Sequence, residues 1–157
     1  MSIRRWIEFC ALFAWATLVR ADPCHDALAR FDYPAAAQLA QARLQAEAGD
    51  LSARMCAARA AYETGHFNEA LAMLRSVEAA RPQAESRTYA YNWLTVTLRK
   101  LGRDAEAQQY GEAALAWARR ERSQQNLATA LHNLAGIAYA RGDTVRALAL
   151  YRESIPL

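Results

Sequence analysis

The sequence predicts an all-α protein, a superhelical array of antiparallel helix pairs. Three observations carry that expectation. About a quarter of the 157 residues are alanine, and the chain has only 6 Gly and 4 Pro. With Leu, Gln, Glu and Arg prominent in the remainder, this is a composition of strong helix formers. Glycines recur in matching surroundings at Gly65, Gly102 and Gly142, 37 and 40 residues apart. Small residues keep their offsets around each: Ala58, Thr95 and Ala135 stand seven positions before, and Ala70, Ala107 and Ala147 five after. Self-similarity at a fixed period of this length indicates a helical solenoid. At 54% apolar and 22% charged residues, the chain is globular in class.

The chain opens on a segment that stands apart. MSIRRWIEFCALFAWATLVRADP carries Arg4 and Arg5, an apolar run from Phe9 to Val19, and then Val19-Arg20-Ala21. A positive start, a short apolar run and small residues at its end predict a signal peptide over residues 1–21, cleaved after Ala21. The expected location is therefore the periplasm or the exterior. The run falls short of the ~20 residues that span a bilayer. Extended back over Glu8 to Trp6 it reads instead as an uncleaved anchor, and only then is a membrane a partner. Removal of residues 1–21 takes away Arg4, Arg5, Arg20 and Glu8, leaving sixteen basic against fifteen acidic residues. No clustered basic charge then marks a nucleic-acid partner, and the densest basic run, RRERS at 119–123, reads as a solvated helix end. Cys10 leaves with the signal, so Cys24 and Cys56 remain, an even number for an oxidising compartment. A bridge between them closes a loop of about 33 residues, to which the chain-entropy picture assigns roughly 3–4 kcal/mol. Two buried free thiols are the alternative.

The helices follow in order. A short one is expected over 24–31, then 34–48, with Pro34 suited to a first helical turn. Helices 51–64 and 67–80 flank Gly65, which tolerates the left-handed conformation that ends a helix. Pro82 marks the next terminus, and RPQAES is a loop before helix 86–101. Gly102 precedes helix 104–120 and RERSQQN separates it from 125–141. Gly142 leads into 144–155, closed by Pro156. Asp104 and Asp143, just past their glycines, are placed to cap the helices that follow.

This pattern resembles the tetratricopeptide repeat, a 34-residue helix–turn–helix with a small residue at position 8, Gly at 15, Ala at 20, a large residue at 24 and Pro at 32. A unit over 51–84 matches with Ala58, Gly65, Ala70, Leu74 and Pro82. One over 88–121 matches at Gly102, Ala107 and Ala114, but has Gly111 where a large residue is usual, with Tyr110 beside it. A third, 128–157, matches with Ala135, Gly142, Ala147 and Tyr151. A degenerate unit over about 24–50 precedes them, because Ala36 lies 34 residues before Ala70 and Tyr33 34 before Phe67. The resemblance implies one repeat domain over 22–157, wound as a right-handed superhelix of antiparallel helix pairs. It further implies that the first helix of each pair lines a concave face.

Carried onto this sequence, the family's concave positions are Ser52, Met55, Arg59, Tyr62 and Glu63 in the first full unit. The second offers Tyr89, Asn92, Val96, Arg99 and Lys100, and the third Thr129, His132, Gly136, Tyr139 and Ala140, with Trp93 and Asn133 adjacent. The expected partner site is Met55, Arg59, Tyr62, Tyr89, Asn92, Val96, Arg99, His132 and Asn133. There asparagine would bond a peptide backbone, aromatics would hold side chains, and arginine would meet an acidic group. Tyr62, Trp93 and Tyr139 are equally suited to filling the space between helices. The family's carboxylate clamp for a C-terminal acid is not rebuilt, because Met55 and Arg59 stand where Lys and Asn are required.

Catalytic chemistry finds no footing. His25, His66 and His132 fall on three different units without ligand spacing, and there is neither a phosphate loop nor a nucleophile elbow. The expectation is a non-enzymatic, exported interaction scaffold without cofactor, metal or small-molecule substrate, binding a protein, peptide or partner helix. The alternative is an N-terminal sensor or regulatory module of a longer membrane signalling protein. Leu148, Tyr151, Ile155 and Leu157 predict an apolar strip left partly uncovered at the end of the array, suited to a partner or to self-association through the last helix pair.

Overall fold

The structure, a computed structural model, describes residues 22–155. The expected signal segment over residues 1–21, Pro156 and Leu157 lie outside them. The described residues form eight helices: α1 (Pro23–Ala29), α2 (Tyr33–Ala46), α3 (Leu51–Glu63), α4 (Phe67–Ala79), α5 (Ala84–Lys100), α6 (Asp104–Glu121), α7 (Gln124–Ala140) and α8 (Thr144–Ser154). Each expected helix is present, with ends within two residues of those read from the sequence.

Local chemistry explains the ends. Asp22, Asp32, Asp50, Ser123 and Asp143 cap α1, α2, α3, α7 and α8 by accepting a hydrogen bond from a first-turn backbone N–H. Asp104 does not: Arg103 occupies the cap of α6 and Asp104 is its first helical residue. Its carboxylate there favours the helix N-terminus by charge alone. The turns inside all four pairs close alike. The N–H of Asp32, His66, Arg103 and Asp143 each donates to a carbonyl five residues back, at 2.8–3.0 Å, the closure of a Schellman turn. The preceding residue must be left-handed, and Gly65, Gly102 and Gly142 supply it at φ 84°, 72° and 81°. In the first pair Phe31 takes that conformation at φ 60°, 34 residues before Gly65. Arg81 is left-handed as well at φ 50°, but Pro82 has no N–H with which to complete the same closure.

Consecutive helices pack antiparallel, and the backbones of α1 and α3, α3 and α5, and α5 and α7 also approach one another. These four first helices form an inner layer, and α2, α4, α6 and α8 an outer one. No two outer helices meet backbone to backbone. Long polar side chains tie them instead. Arg75 reaches Glu106 at 3.1 Å, Tyr110 donates to Glu78 at 2.8 Å, Arg119 reaches Glu153 at 2.8 Å and Arg146 reaches Glu112 at 3.5 Å. Burial first, and the Glu78 carboxylate next, push the Tyr110 hydroxyl up to about 12, so it stays a donor.

The core divides in two. Leu71, Leu74, Val77, Leu94, Leu98, Leu134 and Ile137 fill the larger cluster between α4, α5 and α7. Gly111 departs from the repeat pattern because a Cβ there would stand 2.8 Å from the Leu134 side chain. The N-terminal cluster holds Cys24, Ala27, Leu28, Ala36, Ala40, Cys56, Ala57 and Ala60, with a single large aliphatic side chain. Cys24 and Cys56 are paired there, Cα atoms 6.3 Å apart, joining α1 to α3.

Beside this pair, Arg43 of α2 binds two helix caps at once: Asp22 at 2.6 Å and Asp50 at 2.7 Å. Ser52 donates to Asp22 at 3.1 Å and His25 lies 3.2 Å from it. Burial pushes the Asp22 carboxyl up, but Arg43, the Cys24 N–H, His25 and Ser52 together outweigh it and hold it well below the usual carboxylate range. Asp50 is lowered for similar reasons, with burial opposed by the Ala53 N–H and Arg43.

Candidate functional site

The inner helices α3, α5 and α7 bring part of the expected concave set together: Arg59, Tyr62, Tyr89 and Trp93 meet, and Arg99 meets Gly136. Trp93 is the hub. The rings of Tyr62 and Tyr89 meet it edge-on at 5.2 and 6.2 Å, and the Arg59 guanidinium lies over it at 5.5 Å, within cation–π range. Arg99 lies flat against α7 at Gly136, where a Cβ would come within 2.8 Å of its Nη1; the glycine is the seat for that guanidinium. Burial raises the Tyr62 hydroxyl, Glu63 adds to this and Arg99 opposes it. Arg59 and Arg99 pair with no carboxylate among the described residues, whereas Arg43, Arg75, Arg103, Arg119 and Arg146 all do.

Asn92 lies between them in sequence and is only 4% exposed. Neither its Nδ2 nor its Oδ1 has a hydrogen-bond partner, and Arg59 Nε is likewise buried and unpartnered. An amide that loses water without gaining a partner costs about 1–3 kcal/mol. The backbone carbonyl of Asn92 accepts from Asn133 Nδ2 at 3.5 Å, which ties α5 to α7.

Other expected residues sit differently. Met55 belongs to the larger core cluster and offers the surface little. Val96 is half-buried. His132 is exposed and its ring meets Tyr151 of α8 at 5.3 Å. Tyr139, equally suited to a core role in the sequence, is exposed.

A cleft of about 380 Å³ adjoins this surface at the start of the inner helices. His25 of α1, Met55 of α3, Glu85 and Tyr89 of α5 and Asn126 of α7 line it, with Val77 of α4 contributing. Only Met55 and Tyr89 among these were marked by the sequence: His25, Glu85 and Asn126 stand in first turns outside the repeat's concave positions, and Val77 in the last turn of an outer helix. No group of three or more His, Cys, Asp or Glu is placed to hold a metal ion among the described residues. Among the same residues, no helix is long and apolar enough to cross a membrane.

Helix pairs stacked through their inner members define an α-solenoid. Residues 87–157 match the family model described as tetratricopeptide repeat, and the preceding pairs continue the same solenoid. The fold is similar to the crystal structure of nearly identical TPR-like repeats from Podosopora anserina, described as a kinesin light chain. That likeness has 22% identity and a TM-score of 0.61, over 83% of this chain and 69% of that one. A crystal structure of MamA aligns over 88% of this chain and 95% of its own, at 11% identity and a TM-score of 0.39. No curated protein sequence matches the chain. Repeats of this family serve protein–protein interaction.

Proposed function

We propose that the chain is an exported interaction scaffold that captures an extended peptide segment, or a partner helix, on the inner surface of α3, α5 and α7. The observation that carries this reading is Asn92, a buried amide with both polar atoms unpartnered, on the same helix as Arg99, with Arg59 over the neighbouring Trp93 ring; neither arginine pairs with a carboxylate among the described residues. A peptide backbone offers the carbonyl and N–H that such an amide lacks, and an acidic side chain suits the guanidinium groups. The Trp93, Tyr62 and Tyr89 rings supply the apolar contact area typical of binding hot spots. Export is supported by the leader-like residues 1–21 and by the Cys24–Cys56 pair, which as a disulfide suits an oxidising compartment.

The test is capture of partners from periplasmic extract by the mature chain, with identification by mass spectrometry. Arg59→Ala combined with Arg99→Ala should abolish a dominant partner while shifting stability by no more than about 1 kcal/mol. Unfolding of the double variant would show that these arginines support the fold and not the partner.

Val145 and Ile155, 83% and 80% exposed, and the half-exposed Leu148 on α8 favour a second reading. In it the array is a sensor or regulatory module of a longer membrane signalling protein, and another element covers this face. Self-association through α7 and α8 is the form expected of the isolated array. A strictly monomeric chain in sedimentation at tens of micromolar would count against that behaviour.

A further inference from the structure

The cleft at the start of the inner helices is continuous with the groove through Tyr89, which lines the cleft and also meets the Trp93 ring, yet its chemistry is opposite. Where the groove presents Arg59 and Arg99, the cleft presents Glu85, whose carboxylate pairs with no cation among the described residues. Of the other titratable groups lining it, His25 and Tyr89, His25 is engaged by Asp22 at 3.2 Å. Asn126 lines the cleft at 9% exposure, and its side-chain amide makes no hydrogen bond among the described residues; its backbone N–H donates to the Ser123 hydroxyl at 3.4 Å. Leu51, Met55, Val77 and Tyr89 supply apolar walls.

We infer that this cleft is a second subsite for the same ligand and receives a Lys or Arg side chain. Its stem would lie along Met55, Val77 and Tyr89, and its cationic head would be held by Glu85 and the Asn126 carbonyl oxygen. Long basic side chains bury their aliphatic stems while keeping the charge among polar groups, and about 380 Å³ accommodates either residue. The inference rests on the groove reading and adds polarity and length to it. Glu85 and Arg99 are fourteen residues apart on α5, about 21 Å at 1.5 Å per residue. An extended chain covers that distance in about six residues at ~3.3 Å each. The ligand is therefore a short extended segment with an acidic residue at the Arg59–Arg99 end and a basic one about six positions away.

Panning a phage-displayed library of random octapeptides against the purified chain tests this directly. Enriched sequences should pair Asp or Glu with Lys or Arg at that spacing. Glu85→Lys, a change at an exposed first-turn position, should exchange the basic preference for an acidic one and leave the preference at the other end intact. With one enriched peptide as a labelled probe, Glu85→Gln should weaken binding about two- to fivefold, the range for an exposed charge pair. Ser86→Tyr, which fills the cleft from its exposed rim, should weaken the same peptide and spare one truncated before its basic residue. Enrichment of acidic peptides without a basic partner overturns the cleft assignment and leaves the groove standing. No enrichment at all overturns both.

Discussion

At the scale of single residues, Asn92 sets stability against recognition. Leucine matches the branched shape of asparagine and carries nothing to desolvate, so Asn92→Leu should raise the unfolding free energy by about 1–3 kcal/mol. The same substitution should abolish capture of any peptide that bonds to the amide. Denaturant melts and peptide binding measured on one preparation check both halves; a destabilised variant would mean that Asn92 has partners in the folded chain. Residues at concave positions were legible as a set because the repeat period places them on one helix face. Their depth was not legible. Met55 sinks into the core cluster of Leu74 and Leu94 while Tyr139 surfaces. Gly136 gave no sign that it seats Arg99, because that contact joins two helices from different units.

Among the elements, α1 and α2 depend little on apolar burial. Their cluster is alanine apart from Leu28 and the cysteines, and alanine side chains contribute little of the ~25 cal/mol per Å² that apolar burial yields. A Cys24–Cys56 bridge would compensate. Cys24→Ser with Cys56→Ser should remove about 3–4 kcal/mol, and hydrogen exchange should locate the loss in residues 23–46, leaving α5 and α7 protected. Uniform loosening of the whole array would contradict this. Arg43 supplies the other restraint. Asp22 and Asp50 have lowered folded pKa values, so their contribution is complete above the ordinary aspartate pKa near 4 and fades as pH falls below it. Arg43→Met should therefore lower the melting temperature at pH 7 and by clearly less at pH 3, where the wild-type pair is already weakening. An equal deficit at both pH values would mean that Arg43 acts through packing. The helices themselves were readable from Gly65, Gly102, Gly142 and the capping aspartates. The double duty of Asp22 and Asp50, capping one helix and binding a second, was not, because Arg43 reaches them only after α2 folds back.

For the whole molecule, stability should be graded. Each pair contacts only its neighbours, so the array approximates a one-dimensional chain of coupled units. Leu94, Leu98, Leu131, Leu134 and Ile137 are buried in α5 and α7, whereas α8 buries only Ala147. Native-state hydrogen exchange should be slowest in α5 and α7 and quicken toward α2 and α8. A single opening free energy shared by all eight helices would refute that gradient. The two layers are also joined by different forces. Inner helices adhere through packed side chains, which salt hardly touches, while Arg75–Glu106, Arg119–Glu153 and Arg146–Glu112 span the outer side through solvent-accessible charge. Electrolyte screens the second kind of link selectively. The solenoid should thus act as a spring with one elastic side: dilute buffer is expected to draw the outer rows together and brine to let them spread, altering the pitch of the coil without melting a helix.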